Sequence, residues 1–300
     1  MKILNFGSLN IDYVYDLDHF VMAGETITSD NLETFCGGKG LNQSIALAHA
    51  GADVYHAGKV GNDGQVLTDM LAKCGVKTDF VMRDDGPSGH AIIQVNDEGD
   101  NCIILFSGAN RKIIKKDIDE TLSQFSRGDM LLLQNEINDL RYIIEKAKKQ
   151  GVLIAFNPAP MDELINDLPL EMIDILVVNE IEGEQISGSD DPEKILDLLI
   201  EKYPDMSIVL TLGKDGVKYR DANQSHTLKV SKKIDVVDTT AAGDTFIGYF
   251  LTSITKGKDM LTALQYARSA SEICITRKGA SISIPSAKEV EAHYQSLGSE

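Results

Sequence analysis

Cysteine is scarce in this 300-residue chain. The four cysteines, Cys36, Cys74, Cys102 and Cys274, form no C-x-x-C pair. That argues against a disulfide framework or a zinc site and suggests buried or free thiols in a reducing compartment. Positive charge is short as well: 29 Lys and Arg face 46 Asp and Glu, for a formal net charge of -17 and a pI near 4.7. Nucleic acids and anionic membranes need a basic surface, so neither is an expected partner. Any anionic ligand has to be held by a few local donors, against a repelling overall field.

Other signatures are missing too. No apolar run approaches about 18 residues, so no membrane span is expected. The opening "MKILNFGSLNID" turns polar too early for a signal peptide, which places the chain in the cytoplasm. The six histidines have no metal spacing, and H-E-x-x-H is absent. There is no P-loop G-x-x-x-x-G-K-[ST], and no G-x-G-x-x-G follows the first strand, which sets a dinucleotide oxidoreductase aside. Without a linker, repeat or low-complexity tail, residues 1–300 read as one domain.

What is present is an α/β pattern. "KILNF" near the N-terminus and the runs at 130–134, 152–157, 175–179 and 207–213 read as buried strands. Between the second and third, Leu140, Ile143, Ile144 and Ala147 form a helical stripe that Gly151 stops. Alternation of this kind builds a mainly parallel sheet with helices on both faces. Two stretches break the rhythm. Residues 88–107 hold two strand-like runs around "NDEGDN", a hairpin signal, and residues 11–35 read as extended segments around Ala23-Gly24. They predict a small β-sheet lid over the main sheet.

In open α/β sheets ligands bind beyond the carboxyl ends of the strands. Polar residues stand at those ends: Glu136, Asn157, Asn179 and Thr211 with Gly213. A further strand end leads into "DTTAAGDTF", residues 238–246, after which Phe246, Ile247, Phe250, Leu251 and Ile254 make an apolar stripe. A helix should therefore start between Ala241 and Asp244. Its first N–H groups have no intrahelical partner, and the small residues leave them exposed to an anion such as phosphate. As a mere first-turn acid, Asp244 would contribute ~0.3–1 kcal/mol. Such a role does not require the small residues before it, whereas a base beside a transferring phosphoryl group does. The Gly-rich turn "CGGKGLNQ" (36–43) offers Lys39 and Asn42 as donors to a polyol, "NEIEGE" (179–184) suits a helix cap or a water-mediated Mg²⁺ site, and "TRKGA" (276–280) is a basic turn.

Taken together, "GSLNID", "GGKGLNQ", "SGAN", "FNPAP", "VNEIEGE", "LTLGKDGV", "VDTTAAGDTF" and "TRKGA" resemble, in order and over nearly the whole chain, the ribokinase-like (PfkB-type) carbohydrate kinase family. The resemblance implies a three-layer sandwich with a β lid, and transfer of the γ-phosphoryl of ATP to a sugar, O5 of ribose in the first instance. It implies sugar contacts from Asn10, Asp12, Gly38, Lys39, Asn42 and Glu136, with Asp244 as base beside an anion hole of the Ala241, Ala242 and Gly243 amides. Nucleotide contacts would come from Asn179, Thr211, Leu212, Gly213, Lys214, Asp215, Gly216, Gly243 and Arg268. Glu182 would organise Mg²⁺ through water. Asp238 and Thr240, carbonyls of Cys274, Arg277 and Gly279, and the Ser283 hydroxyl would hold K⁺. A homodimer through the lid is also implied. Arg268, Ile247 and Tyr249 depart from the family pattern, the last two as expected alterations of the pocket wall. Alternative readings are a kinase of a nucleoside, fructose or sugar acid, and a non-catalytic sensor.

Overall fold

The computed structural model describes residues 1–231 and 234–297. The chain opens with β1 (Ile3–Phe6), β2 (Asn10–Asp16), β3 (Asn31–Gly37) and α1 (Lys39–His49). Next come β4 (Val54–Val60), α2 (Gln65–Lys73), β5 (Lys77–Arg83), β6 (Gly89–Val95) and β7 (Asn101–Phe106). The middle holds α3 (Lys115–Leu122), β8 (Met130–Gln134), α4 (Leu140–Gln150), β9 (Leu153–Asn157), β10 (Ile175–Asn179) and α5 (Glu180–Ser187). It continues through α6 (Pro192–Lys202), β11 (Ser207–Thr211), β12 (Val217–Arg220) and β13 (Ser225–Leu228). Three helices close the chain, α7 (Ala242–Thr255), α8 (Met260–Cys274) and α9 (Ala287–Leu297).

The apolar runs become the centre of a nine-stranded sheet of order β13-β12-β11-β10-β9-β8-β1-β4-β5. It is parallel except at β12 and β13. Strands β1 and β8 are buried on both faces, as continuous apolar sequence requires. One apolar layer joins the sheet to α1, α2, α7 and α8; the other joins it to α3, α4 and α6. This is the expected three-layer sandwich. From β1 the chain builds outward through β4 and β5, then returns to lay β8 on the other side of β1. The order reverses there, and a crevice opens beyond the ends of β1 and β8.

Small differences from the sequence reading have local causes. The fifth run stops as a strand at Thr211, because Gly213 adopts φ 50° and starts a tight turn. The stripe of α4 ends at Gly151 in the left-handed region, as expected for a C-cap. Helix α7 starts one residue inside the predicted window, and Ala241 caps it at φ 60°, unusual for a residue with a Cβ.

The second sheet has four strands in the order β3-β2-β6-β7. Its strands lie within 10–37 and 89–106, close to the expected 11–35 and 88–107. The β6–β7 pair is the hairpin signalled by "NDEGDN", with Gly99 at φ 84°. On β7 the side chains of Ile103, Ile104, Leu105 and Phe106 remain about half exposed.

Helices α1 and α7 cross at Gly248. A Cβ there would lie 2.4 Å from the Cβ of Ala46 and 2.7 Å from the backbone of Ala46 and Leu47. Only glycine permits this approach, and it brings the N-termini of the two helices side by side.

Candidate active site

Helix α1 begins on the Gly-rich turn and α7 on "TAAG", so both N-termini open into the crevice. Asp244, in the first turn of α7, is buried. Its Oδ2 accepts a hydrogen bond from Asn42 Nδ2 at 3.0 Å, and its Oδ1 accepts one from Gln43 Nε2 at 2.9 Å. Gln43 is itself gripped: its Oε1 accepts from Gln134 Nε2 at 2.6 Å, and its Nε2 also donates to Asn157 Oδ1 at 3.2 Å. The polar residue at the end of β9 thus joins the same cluster.

Charges crowd the crevice beside it. Glu136, just past β8, accepts from the Lys39 backbone N–H at 3.0 Å and from the Ser8 hydroxyl through the same Oε2. Burial pushes its carboxyl up, and Asp244 adds to this, while Lys39 and Ser8 pull the other way. Asp12 lies over Gly37, where a Cβ would come within 1.9 Å of its Oδ2. Burial first, and Glu136 second, raise its carboxyl to about 7. Burial opposes the charge on Lys39, but Asp244, Glu136 and Glu182 outweigh it and lift the ammonium above its usual range. Asn10 is buried and accepts from Asn110 Nδ2 at 2.7 Å. Gly38, at φ 92°, turns the chain from β3 into α1.

Two adjoining cavities run from this cluster along the ends of β10 and β11. The larger, about 740 Å³, is walled by Ile181, Val217, Val236, Phe246 and Ile275 among others. The smaller, about 220 Å³, is lined by Lys39, Asn157, Glu182, Asp244 and Ile247. Asn179, Thr211, Thr239, Ala242 and Gly243 border both. One elongated ligand could therefore lie across them, with a flat apolar end in the first and an anionic end in the second. At the junction the helix start of α7 supplies donors. Among the described residues, the N–H groups of Ala241, Gly243 and Asp244 have no acceptor. The Ala242 N–H is already directed at Thr239 O at 3.2 Å, so the expected trio shifts by one member, from Ala242 to Asp244. A Cβ on Gly243 would meet nothing within 4 Å, since its open side is the cavity.

Asn179 and Glu182 form a reciprocal cap on α5. The Asn179 N–H donates to Glu182 Oε2 at 3.0 Å, and Asn179 Oδ1 accepts from the Glu182 N–H at 2.8 Å. Burial and Asp244 raise the Glu182 carboxyl, against the Asn179 N–H and Lys39. The cap thus rests on one buried acid that also lines the smaller cavity. Farther along, Asp238 ties two loops together: Oδ1 accepts from Thr240 N and Oγ1 at 2.8 and 2.6 Å, and Oδ2 from Gly279 N at 2.9 Å. Ser283 Oγ lies 3.1 Å from Cys274 Sγ, and the Cys274 carbonyl accepts from Arg277 N.

Several expectations need adjustment. Tyr249 is no part of a pocket wall; it is buried against α9's approach and donates to Pro285 O at 2.7 Å, while Ile247 does line the smaller cavity. Lys214, Gly213, Gly216 and Arg268 line the larger cavity, but the Leu212 side chain packs into the apolar layer beneath the sheet and Asp215 does not reach the wall. Arg268 is held by Lys229 O at 2.9 Å and by Glu272 at 3.6 Å. Gln43, Gln134, Ser8 and Asn110 were not picked out in the sequence. Gln43 follows Asn42 directly, and a polar residue at a core position of a helix was the available signal.

Known proteins are similar to this chain in sequence and fold. A family model described as pfkB family carbohydrate kinase matches residues 1–287. Ribokinase of Haemophilus influenzae is 33% identical over 293 residues, covering 94% of this chain and 95% of its own. Ribokinase of Schizosaccharomyces pombe is 34% identical over 316 residues, with 98% of each chain covered. The structure of ribokinase from Thermotoga maritima matches with a TM-score of 0.86 at 33% identity, covering 98% of this chain and 99% of that one. Arabidopsis thaliana ribokinase complexed with ribose and ATP matches with a TM-score of 0.86 at 29% identity, with 98% of each covered. With a family match over residues 1–287 and relatives about one-third identical over nearly its full length, the chain belongs to the pfkB family of carbohydrate kinases.

Proposed function

We propose that this protein is an ATP-dependent ribokinase, which transfers the γ-phosphoryl group of ATP to O5 of D-ribose. The observation that carries the reading is the placement of Asp244: a buried carboxylate at the inner end of two joined cavities, beside helix-start amides that lack acceptors. Relatives about one-third identical over nearly full length are ribokinases, and one was solved with ribose and ATP.

Asp244 accepts the O5 proton as the oxygen forms its bond to the γ-phosphorus and the bond to the ADP oxygen breaks. The Ala241, Gly243 and Asp244 amides neutralise charge on the transferring group through main-chain donors. Asp12 and Glu136 accept from sugar hydroxyls, with Asn10, Gly38, Lys39 and Asn42 around them. The base enters the larger apolar cavity past Gly213, Gly216 and Arg268, and Asn179 faces the phosphates. The four-stranded sheet acts as a lid that excludes water, the competing acceptor.

Among the described residues, no three His, Cys, Asp or Glu side chains converge on one metal position. Glu182, which lines the smaller cavity beside Asp244, would hold Mg²⁺ through water. Such an ion would supply charge neutralisation on the phosphates. The Asp238 carboxylate, Thr240, the Cys274, Arg277 and Gly279 carbonyls and the Ser283 hydroxyl form an all-oxygen set, which fits a hard cation such as K⁺. Activity in K⁺ buffer should exceed that in K⁺-free buffer; equal rates would remove this site. A second copy would cover the exposed Ile103, Ile104, Leu105 and Phe106 on the lid, and light scattering that gives a monomer would remove the dimer.

ATP-dependent ADP release with Mg²⁺ and K⁺, measured over D-ribose, D-fructose, adenosine, fructose 6-phosphate and a sugar acid, tests the activity. Turnover strongly favouring ribose supports it. Preference for another acceptor reassigns the substrate, with Ile247 as the first residue to vary, and silence with nucleotide still bound leaves a sensor.

A further inference from the structure

Beneath Asp244 lies a chain of buried side-chain amides whose direction is fixed at both ends. At one end Asn5 Nδ2 donates to Gly40 O at 2.7 Å, and at the other Asn157 Nδ2 donates to Val177 O at 3.0 Å. A backbone carbonyl can only accept, so neither amide can flip. Asn5 must therefore offer its oxygen inward, and Gln134 Nε2 donates to it at 2.9 Å. Gln134 spends its other N–H on Gln43 Oε1 at 2.6 Å. Gln43 is then left with two donors and nowhere to send them but Asp244 Oδ1 and Asn157 Oδ1, the latter turned inward by its own anchor. Asn5, Gln43 and Gln134 are all fully buried, so water cannot substitute for a lost partner.

We infer that Gln43 is a positioning residue for the catalytic base, and that Gln134 acts through it as the group that sets its polarity. A reversed Gln43 amide would present its oxygen to the carboxylate and push the base away. The forward amide holds Oδ1 while Asn42 holds Oδ2, so the carboxylate plane is fixed. Gln43 is fully buried and its amide is spent on Asp244, Asn157 and Gln134, so no part of it is open to a ligand in the crevice. Its effect must appear in turnover and not in binding.

The inference rests on the phosphoryl-transfer reading, and its test separates the two. Gln43→Met keeps the length of the side chain and deletes its hydrogen bonds. With the best acceptor of the wild-type enzyme, kcat should fall roughly 10–100-fold, as for a base displaced by a fraction of its working distance. The KM for sugar and the Kd for ATP should stay within about twofold, the mark of an interaction used only in the transition state. Gln134→Met, one link farther away, should show the same split with a smaller loss. It also keeps the test open where Gln43→Met does not fold. Unchanged kcat in a folded variant, or a loss carried mainly by KM, overturns the inference while the kinase stands. A wild-type protein that phosphorylates nothing overturns the parent reading and this one with it.

Discussion

The two ends of the cleft are built on opposite principles. At the acceptor end Asp12, Glu136, Lys39 and Asp244 are charged side chains drawn out of water, and burial raises two of the carboxyls, Asp12 to about 7. At the nucleotide end much of the wall is apolar, and beside side chains such as Asn179 and Arg268 it offers main-chain N–H groups that the helix start leaves over in any case. The first end recognises its ligand at a cost to the stability of the empty protein. The second recognises its ligand with almost none. Substitutions at the two ends should therefore part activity from stability in different ways.

The largest effect is expected at the acceptor end. Asp244→Asn should lower kcat by about 10²–10⁴-fold, the usual worth of a positioned general base. ATP affinity, read by calorimetry, should hardly change, and a variant that keeps its turnover would refute the assignment. Next comes Asp12→Asn. Losing a hydrogen-bond acceptor that is charged should raise the sugar KM about 10–100-fold at pH 8. The same variant should melt higher than the wild type at that pH. The folded carboxyl titrates near 7 and the unfolded one near 3.8, so its destabilising effect is complete above pH 7 and vanishes as pH falls towards the lower value. Melting curves from pH 4 to 8 would show the gain shrinking with acid; a gain independent of pH contradicts the picture of a costly buried charge. The smallest effect belongs to the nucleotide end. Gly243→Ala adds a methyl group where the fold has open space, and alanine favours a helix by up to about 1 kcal/mol over glycine. Its Tm should hold or rise, while kcat/KM for ATP drops by roughly a factor of ten through the altered approach to the amides. A lower Tm with normal kinetics would show that Gly243 serves packing instead.

The same contrast governs what the sequence could disclose. The nucleotide end rests on a helix start and strand ends, which are local patterns, so the α7 boundary and the polar ends of β8 to β11 were visible. The sheet strands were visible too, since a doubly buried parallel strand has to be a continuous apolar run. The acceptor end depends on contacts between distant segments. Gln43 meets Asp244 across 201 positions and Gln134 across 91, and no periodicity marks such a pair. Tyr249 was misjudged for the same reason: one turn from Asp244 places it on the catalytic helix, but its face turns towards Pro285 and away from the cleft. The resemblance to a known family implied ligand contacts and was silent about Gln43 and Gln134 beneath them.

Gly248 has a consequence beyond packing. The sugar-side donors Lys39 and Asn42 ride on α1 and the base rides on α7, and the two helices touch where one lacks a side chain. That contact works as the closed jaw of a calliper: the gap at its tips, where base and donors face each other, is set one turn lower, out of reach of any substrate. The spacing of the two helix starts is thus set in the body of the protein. Substitutions on the second sheet, at Glu136 or at Ile247 leave that spacing untouched, whereas a side chain at position 248 would force the two helices apart.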